Sequence, residues 1–485
     1  MVSTMSGMNE SVRGLSRKVL LISTIHRTLS LLLLLFLIPS IQQSTPFDSS
    51  SVFLTVPEPR SVGLHSALEP LIRWDAVHFL RIAHSGYSLE HLFAFQPGLP
   101  AVLRIAGAGF SSTTSDWNAS QAVLLTSLAA AIAATISPWL LFHLTWKHSA
   151  SPSLAFLSAL LSIFSPAPAS LVTPSPEAFF SFFTLLGLVA LSPRLPGQAG
   201  RPSSAGLTFK FIVAALAFAA ATAFRANGIL LVGYLAWALW WEADFTAVPV
   251  LLRIILSPLA LVPALPFLAF QYWAKTLFCD APDIIAPRPW CEESLPSVYA
   301  FVQREYWNVG FLRYWELAQL PNFLLAAPVL VFAVYGSIQY GKHSQVPILR
   351  TLLHLPILPS KSDVGSKREG KERSAKTSSA SLDDDPLRFS SSPTLLPHMI
   401  HNIVIVGLLL FVSHVQIALR FATPGGMPAF WWGLAGWVLK GRRGEEGSGR
   451  STLGLSNIRS RGVFSGLIMW NVLLLALYSG FYPPA

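Results

Sequence analysis

Long apolar runs separated by short polar connections make up most of this chain. Eleven of them, at 19–38, 121–146, 153–171, 177–191, 207–224, 228–241, 250–270, 322–340, 398–417, 429–439 and 463–480, predict membrane-crossing helices, since roughly 20 apolar residues in helical conformation cover a bilayer's hydrocarbon core. A further run, 92–110, contains Pro97, Gly98, Pro100 and Arg104 and reads as a helix lying in the interface. The pattern predicts one all-α polytopic unit over 1–485. Polar loops at 41–119 and 271–321 fall on one side, and a largely disordered insert at 341–397 on the other.

Composition agrees: 52% of residues are hydrophobic and 12% charged, with a mean hydropathy of +0.52, which excludes an ordinary soluble protein. The formal charge of +10 raises nucleic acid as a partner. Its basic residues sit in connections between apolar runs rather than along one polar face, so they report topology instead. Arg13, Arg17, Lys18 and Arg27 precede the first run, which reads as an uncleaved signal anchor, with a cleaved leader as the alternative.

Basic connections mark the cytosolic side. Placing the N-terminus, 341–397 and 439–461 there, and excluding 92–110 as a span, gives eleven crossings and an outer C-terminus. Five polar motifs then share the outer face: 73–91, 173–177, 224–228, 279–322 and 420–424. The sequon Asn118-Ala119-Ser120 falls on that side as a possible glycosylation site, as do Cys279 and Cys291, a candidate disulfide in an oxidising compartment.

The chemistry concentrates in Arg73-Trp74-Asp75-Ala76-Val77-His78-Phe79-Leu80. A carboxylate at a membrane surface is costly without a task. Asp75 reads either as a base taking a proton from an acceptor hydroxyl or as a salt-bridge partner of Arg73 or Arg81, and helical spacing puts His78 on its face. Arg225 and Arg420, at outer span ends, suit a lipid phosphate, or snorkel to headgroups. Tyr306, Trp307 and Arg313 lie in an aromatic and hydrogen-bonding stretch that suits sugar rings or an interfacial belt. Asp383-Asp384-Asp385 sits in the polar insert with nothing around it to form a pocket, and His78, His84 and His91 match no compact zinc pattern.

Six runs in order, Arg73 to Leu80, Phe93-Ala94-Phe95-Gln96-Pro97-Gly98, Phe224-Arg225-Ala226-Asn227-Gly228, Phe270-Gln271-Tyr272 with Leu277-Phe278-Cys279, Tyr306 to Tyr314, and Pro321 to Ala326, resemble the GPI mannosyltransferase 2 family of the GT-C superfamily. The resemblance implies an endoplasmic reticulum membrane enzyme with a luminal site. It would take mannose from dolichol-phosphate-mannose and add the second, α1,6-linked mannose to mannosyl-glucosaminyl-acylphosphatidylinositol. It implies Asp75 as catalytic base in an inverting single displacement, with Arg225 and Arg420 on the donor phosphate. Trp74, His78, Glu177, Asn227, Tyr306, Trp307 and Arg313 would contact acceptor or sugar. No metal or other cofactor is expected, because the leaving group is a single lipid phosphate. A small accessory membrane subunit is expected as partner. The family's Tyr-Ser-Glu-like run appears as Ser175-Pro176-Glu177, which retains only the acid. A lipid or sugar-lipid transporter, or another dolichol-phosphate-mannose transferase, stands as the alternative.

Overall fold

The structure, a computed structural model, describes residues 2–37, 63–108, 117–193, 203–246, 248–280, 288–352, 393–443 and 458–480. The described residues are helical, with no strand among them. The helices are α1 (Val2–Leu32), α2 (Asp75–Ser85), α3 (Gly98–Ala108), α4 (Ala119–Ser149), α5 (Pro152–Ile163), α6 (Pro176–Leu191), α7 (Ser204–Phe224) and α8 (Val232–Trp241). They continue with α9 (Val250–Leu256), α10 (Leu265–Phe278), α11 (Val298–Glu305), α12 (Leu320–Leu352), α13 (Leu396–Phe411), α14 (Pro428–Arg443) and α15 (Ile458–Ser479). Residues 38–62 of the expected first loop and 353–392 of the insert, with Asp383 to Asp385, lie outside the described residues. The start of the insert is helical, since α12 runs unbroken through Gly341 to Leu352.

Local chemistry starts and stops these helices. The Asn118 side chain accepts the Gln121 amide at 2.8 Å and caps α4, which ends where Ala150 turns left-handed at φ 53°. Ser151 then caps α5 with Pro152 at its first position. Among the described residues, six helical segments are long and apolar enough to cross a membrane: Glu10–Leu37, Ala119–Ser149, Ser204–Phe224, Val250–Phe278, Leu317–Lys342 and Arg461–Ser479. The chain is a multi-pass membrane protein. The other expected spans are shorter helices, α5, α6, Ala226–Trp241, α13 and α14, and the expected count of eleven crossings is not confirmed. The run at 92–110 is a 3-10 turn, Glu90–Ala94, followed by the eleven-residue α3, about 16 Å long, which is too short to cross.

Proline interrupts two of the expected runs. Pro166, Pro168 and Pro174 interrupt the run after Ile163, and Pro424-Gly425-Gly426 interrupts the one before α14. Both irregular segments are buried, which a membrane protein tolerates only where other protein groups satisfy the backbone. Ser165 Oγ donates to the Ala422 carbonyl at 2.9 Å, while Asn471 Nδ2 and Trp470 Nε1 of α15 donate to the carbonyls of Ser165 and Pro166. Irregular backbone enclosed by α4, α6, α7 and α15 therefore sits inside the bundle, and the polar motifs meet there.

Candidate functional site

Asp75 opens α2, and the residue before it is strained: Trp74 has φ 52° and ψ −125°, a combination costly for any residue that carries a Cβ. The bend is held from both sides. Arg73 Nε donates to the Ser479 carbonyl at the end of α15 at 2.9 Å, its Nη1 donates to the carbonyls of Glu69 and Ile72, and Tyr478 Oη donates to the Leu71 carbonyl. Asp75 is thereby presented to a cleft, open at its mouth, lined by Arg73, Trp74, Asp75, Arg420, Leu474 and Tyr478 above a floor at Ala167–Ser170. Protein crowds the carboxylate, yet 40% of its side chain is exposed through the cleft.

The partner of Asp75 is neither Arg73 nor Arg81. Arg420 Nη1 donates to Asp75 Oδ2 at 2.5 Å, and Arg420 Nε and Nη2 reach back to Glu177 Oε1 at 2.8 and 2.7 Å. Arg225 Nη1 donates to the same Glu177 oxygen, its Nε donates to Asn227 Oδ1 at 3.2 Å, and its guanidinium lies 4.6 Å over the Phe421 ring. Two guanidiniums and two carboxylates thus form one network, drawn from four distant parts of the chain. Burial raises the Asp75 pKa, but the charge and hydrogen bond of Arg420, helped by His78 and Arg225, prevail and leave it below the usual carboxylate range. Asp75 is ionised at neutral pH. Burial also lowers the pKa of His78, an effect only partly offset by Asp75, so its imidazole is neutral there.

The loop that carries Arg420 is fixed by α6. Gly425 N donates to Ser181 Oγ at 2.8 Å, one helical turn beyond Glu177, and any side chain at Gly425 would collide with the Ser181 carbonyl. Trp431 Nε1 holds the Thr423 carbonyl at 3.1 Å.

Three expectations from the sequence change here. Glu177 is only 1% exposed and is sealed behind both arginines, so it cannot receive acceptor hydroxyls; Pro176 at the start of α6 aims it inward. Arg225 and Asn227 stand behind Arg420 rather than on the cleft wall. Arg73, which spacing suggested as a salt-bridge partner, lines the cleft instead.

A second cluster continues from α2. His78 stacks on Phe95 at 5.1 Å, Phe95 meets Trp307 at 5.8 Å, and His91 lies 6.3 Å from His78 and 6.0 Å from Tyr306. Trp307 and Tyr306 therefore extend the site, with the Trp307 carbonyl bonded to His414 at 2.8 Å. Arg313 does not join them: it is exposed and its contacts are to Arg304 and Asn308. Cys279 and Cys291 form a disulfide, with Cα atoms 5.6 Å apart, that closes the adjoining loop. Asn118 is exposed, but its oxygen caps α4, and Ser120 Oγ bonds the Gly63 carbonyl and the His65 amide, so the sequon is built into a helix start. Among the described residues no group of three or more His, Cys, Asp or Glu could hold a metal ion.

Residues 16–485 match the family model described as mannosyltransferase (PIG-V). GPI mannosyltransferase 2 of Cryptococcus neoformans (strain JEC21) is 30% identical over 472 residues, covering 94% of this chain and 96% of that protein. GPI alpha-1,6-mannosyltransferase 2 of Cricetulus griseus is 33% identical, covering 74% and 72%. The apo oligosaccharyltransferase of Archaeoglobus fulgidus superposes with a TM-score of 0.44 at 12% identity, covering 97% of this chain and 56% of that one, a likeness too distant to carry residue correspondences. With a cleft that pairs Asp75 with Arg420 and a family match across nearly its whole length, the chain belongs to the PIG-V mannosyltransferase family.

Proposed function

We propose that the chain adds the second, α1,6-linked mannose to the GPI anchor precursor at the luminal face of the endoplasmic reticulum membrane, taking it from dolichol-phosphate-mannose. The names of its relatives support the step, and the Asp75–Arg420 pair at the head of the cleft is the observation that carries the chemistry. The mixed wall of Arg73, Arg420, Trp74, Leu474 and Tyr478 suits a phosphate attached to a long apolar chain.

In this reading Asp75 takes the proton of the acceptor's 6-hydroxyl as that oxygen attacks the anomeric carbon from the face opposite the phosphate. The bond from the anomeric carbon to the phosphate oxygen breaks, its electron pair leaves with dolichol phosphate, and a β-linked donor yields an α-linked product. Arg420 receives the developing phosphate charge, with Arg73 at the cleft wall. An arriving phosphate competes with Asp75 for Arg420, so donor binding releases the base, while Glu177 keeps Arg420 from following. These cations serve a single phosphate without a divalent ion, and full transfer in the presence of chelator is expected. A small accessory membrane subunit is part of the proposal.

The test is the lipid that accumulates in cells depleted of the protein. Build-up of the one-mannose precursor, relieved by wild type and not by Asp75→Asn, supports the assignment. A normal precursor profile overturns it.

A further inference from the structure

Glu90 is 7% exposed, and its carboxylate takes only neutral donors: Trp290 Nε1 on Oε1, and Tyr306 Oη on Oε2 at 3.3 Å. No cationic side chain of the described residues pairs with it within 4 Å, unlike Asp75 and Glu177. A buried carboxylate without a cation is costly. It sits at the far end of the ring contacts that begin on the Asp75 helix, through His78 and His91 to Tyr306. The geometry is specific about polarity: because the Tyr306 proton is committed to Glu90, the phenol oxygen offers only its acceptor side. That oxygen belongs to a residue 53% exposed, beside Trp307.

We infer that Glu90, Tyr306 and His91 form a subsite for a primary ammonium carried on a sugar ring. An ammonium donates to Tyr306 Oη and lies near aromatic faces, with the Glu90 charge directly behind the phenol. A neutral N-acetyl group would gain neither the cation–π contact nor the charge. Trp290 is fully buried next to Cys291, so the disulfide-closed loop holds Glu90 in place. Glu90 acts through Tyr306 and is a positioning residue; Tyr306 makes the contact. The inference rests on the acceptor proposed above, whose glucosamine, the ring next to the attacking mannose, carries such an amine.

The experiment compares two synthetic acceptors, mannosyl-glucosaminyl-phosphatidylinositol and its N-acetylated counterpart, in membranes containing wild type, Glu90→Gln or Tyr306→Phe. Wild type is expected to favour the free amine on the order of tenfold in kcat/KM, the scale of one charge-assisted hydrogen bond. Both variants are expected to lose most of that ratio through a higher KM for the amine acceptor. If either variant keeps the wild-type ratio, the inference is overturned while the mannosyltransferase reading stands. If wild type uses neither acceptor, the acceptor assignment fails and takes the inference with it. Tyr306→Phe removes one exposed hydroxyl, so the ratio is readable even where Glu90→Gln fails to fold.

Discussion

Asp75 and Arg420 are 345 residues apart in the chain and 2.5 Å apart in space, and Arg420 is held from behind by Glu177. One guanidinium thus restrains the acid and belongs to a buried ion pair, which a lysine could not reproduce with a single nitrogen. Arg420→Lys should lower kcat/KM about a hundredfold or more, on the scale of removing one donor to a developing oxyanion.

The pH profile of a neutral Arg420 variant carries a sign. Arg420 holds the Asp75 pKa down, so removing it lets burial raise the pKa. Asp75 works as its carboxylate; the acid limb of kcat/KM should therefore move to higher pH in Arg420→Gln. An unmoved limb would mean that the titrating base is another group.

Glu177 tests the rear of the same network. Glu177→Gln leaves two neighbouring guanidiniums without their shared anion, at a cost of about 3–5 kcal/mol for a broken buried pair. Thermal unfolding in detergent should show a clear drop in Tm and yield. An unchanged Tm would show that the arginines find other partners.

The disulfide makes a further prediction. Cys291→Ser frees the loop that seats Trp290 against Glu90, with a loss of about 2–4 kcal/mol. Peptide mapping without reductant should recover a linked Cys279–Cys291 pair from wild type, and the variant should show a raised acceptor KM. Recovery of both cysteines as free thiols contradicts the pairing.

Much of this was legible in the sequence, and the gaps have physical causes. Hydropathy identified an all-helical membrane protein, and Pro, Gly and Arg104 within the run at 92–110 set it apart as an interfacial helix rather than a crossing. It could not tell a crossing from a shorter helix buried by its neighbours: α5 stops at Ile163 while its continuation stays buried as irregular backbone. The charge of Asp75 was visible as an anomaly, but its partner was not, since spacing reports only neighbours and favoured Arg73 and Arg81. Glu177 entered as an acceptor contact only through the family resemblance; tertiary packing, which the resemblance does not report, sets it behind two arginines. Glu90 left no signal beyond one acid in an aromatic loop, since its partners lie 200 and 216 residues away.

The central claim is that Asp75 is the base. Mannosyl transfer from dolichol-phosphate-mannose to the one-mannose precursor, measured in membranes with matched amounts of wild type and Asp75→Asn, tests it most directly. The account predicts a loss of at least a hundredfold in kcat for the variant, within or above the range for removing a general base, with the protein still folded and inserted. Near wild-type turnover by Asp75→Asn would contradict it.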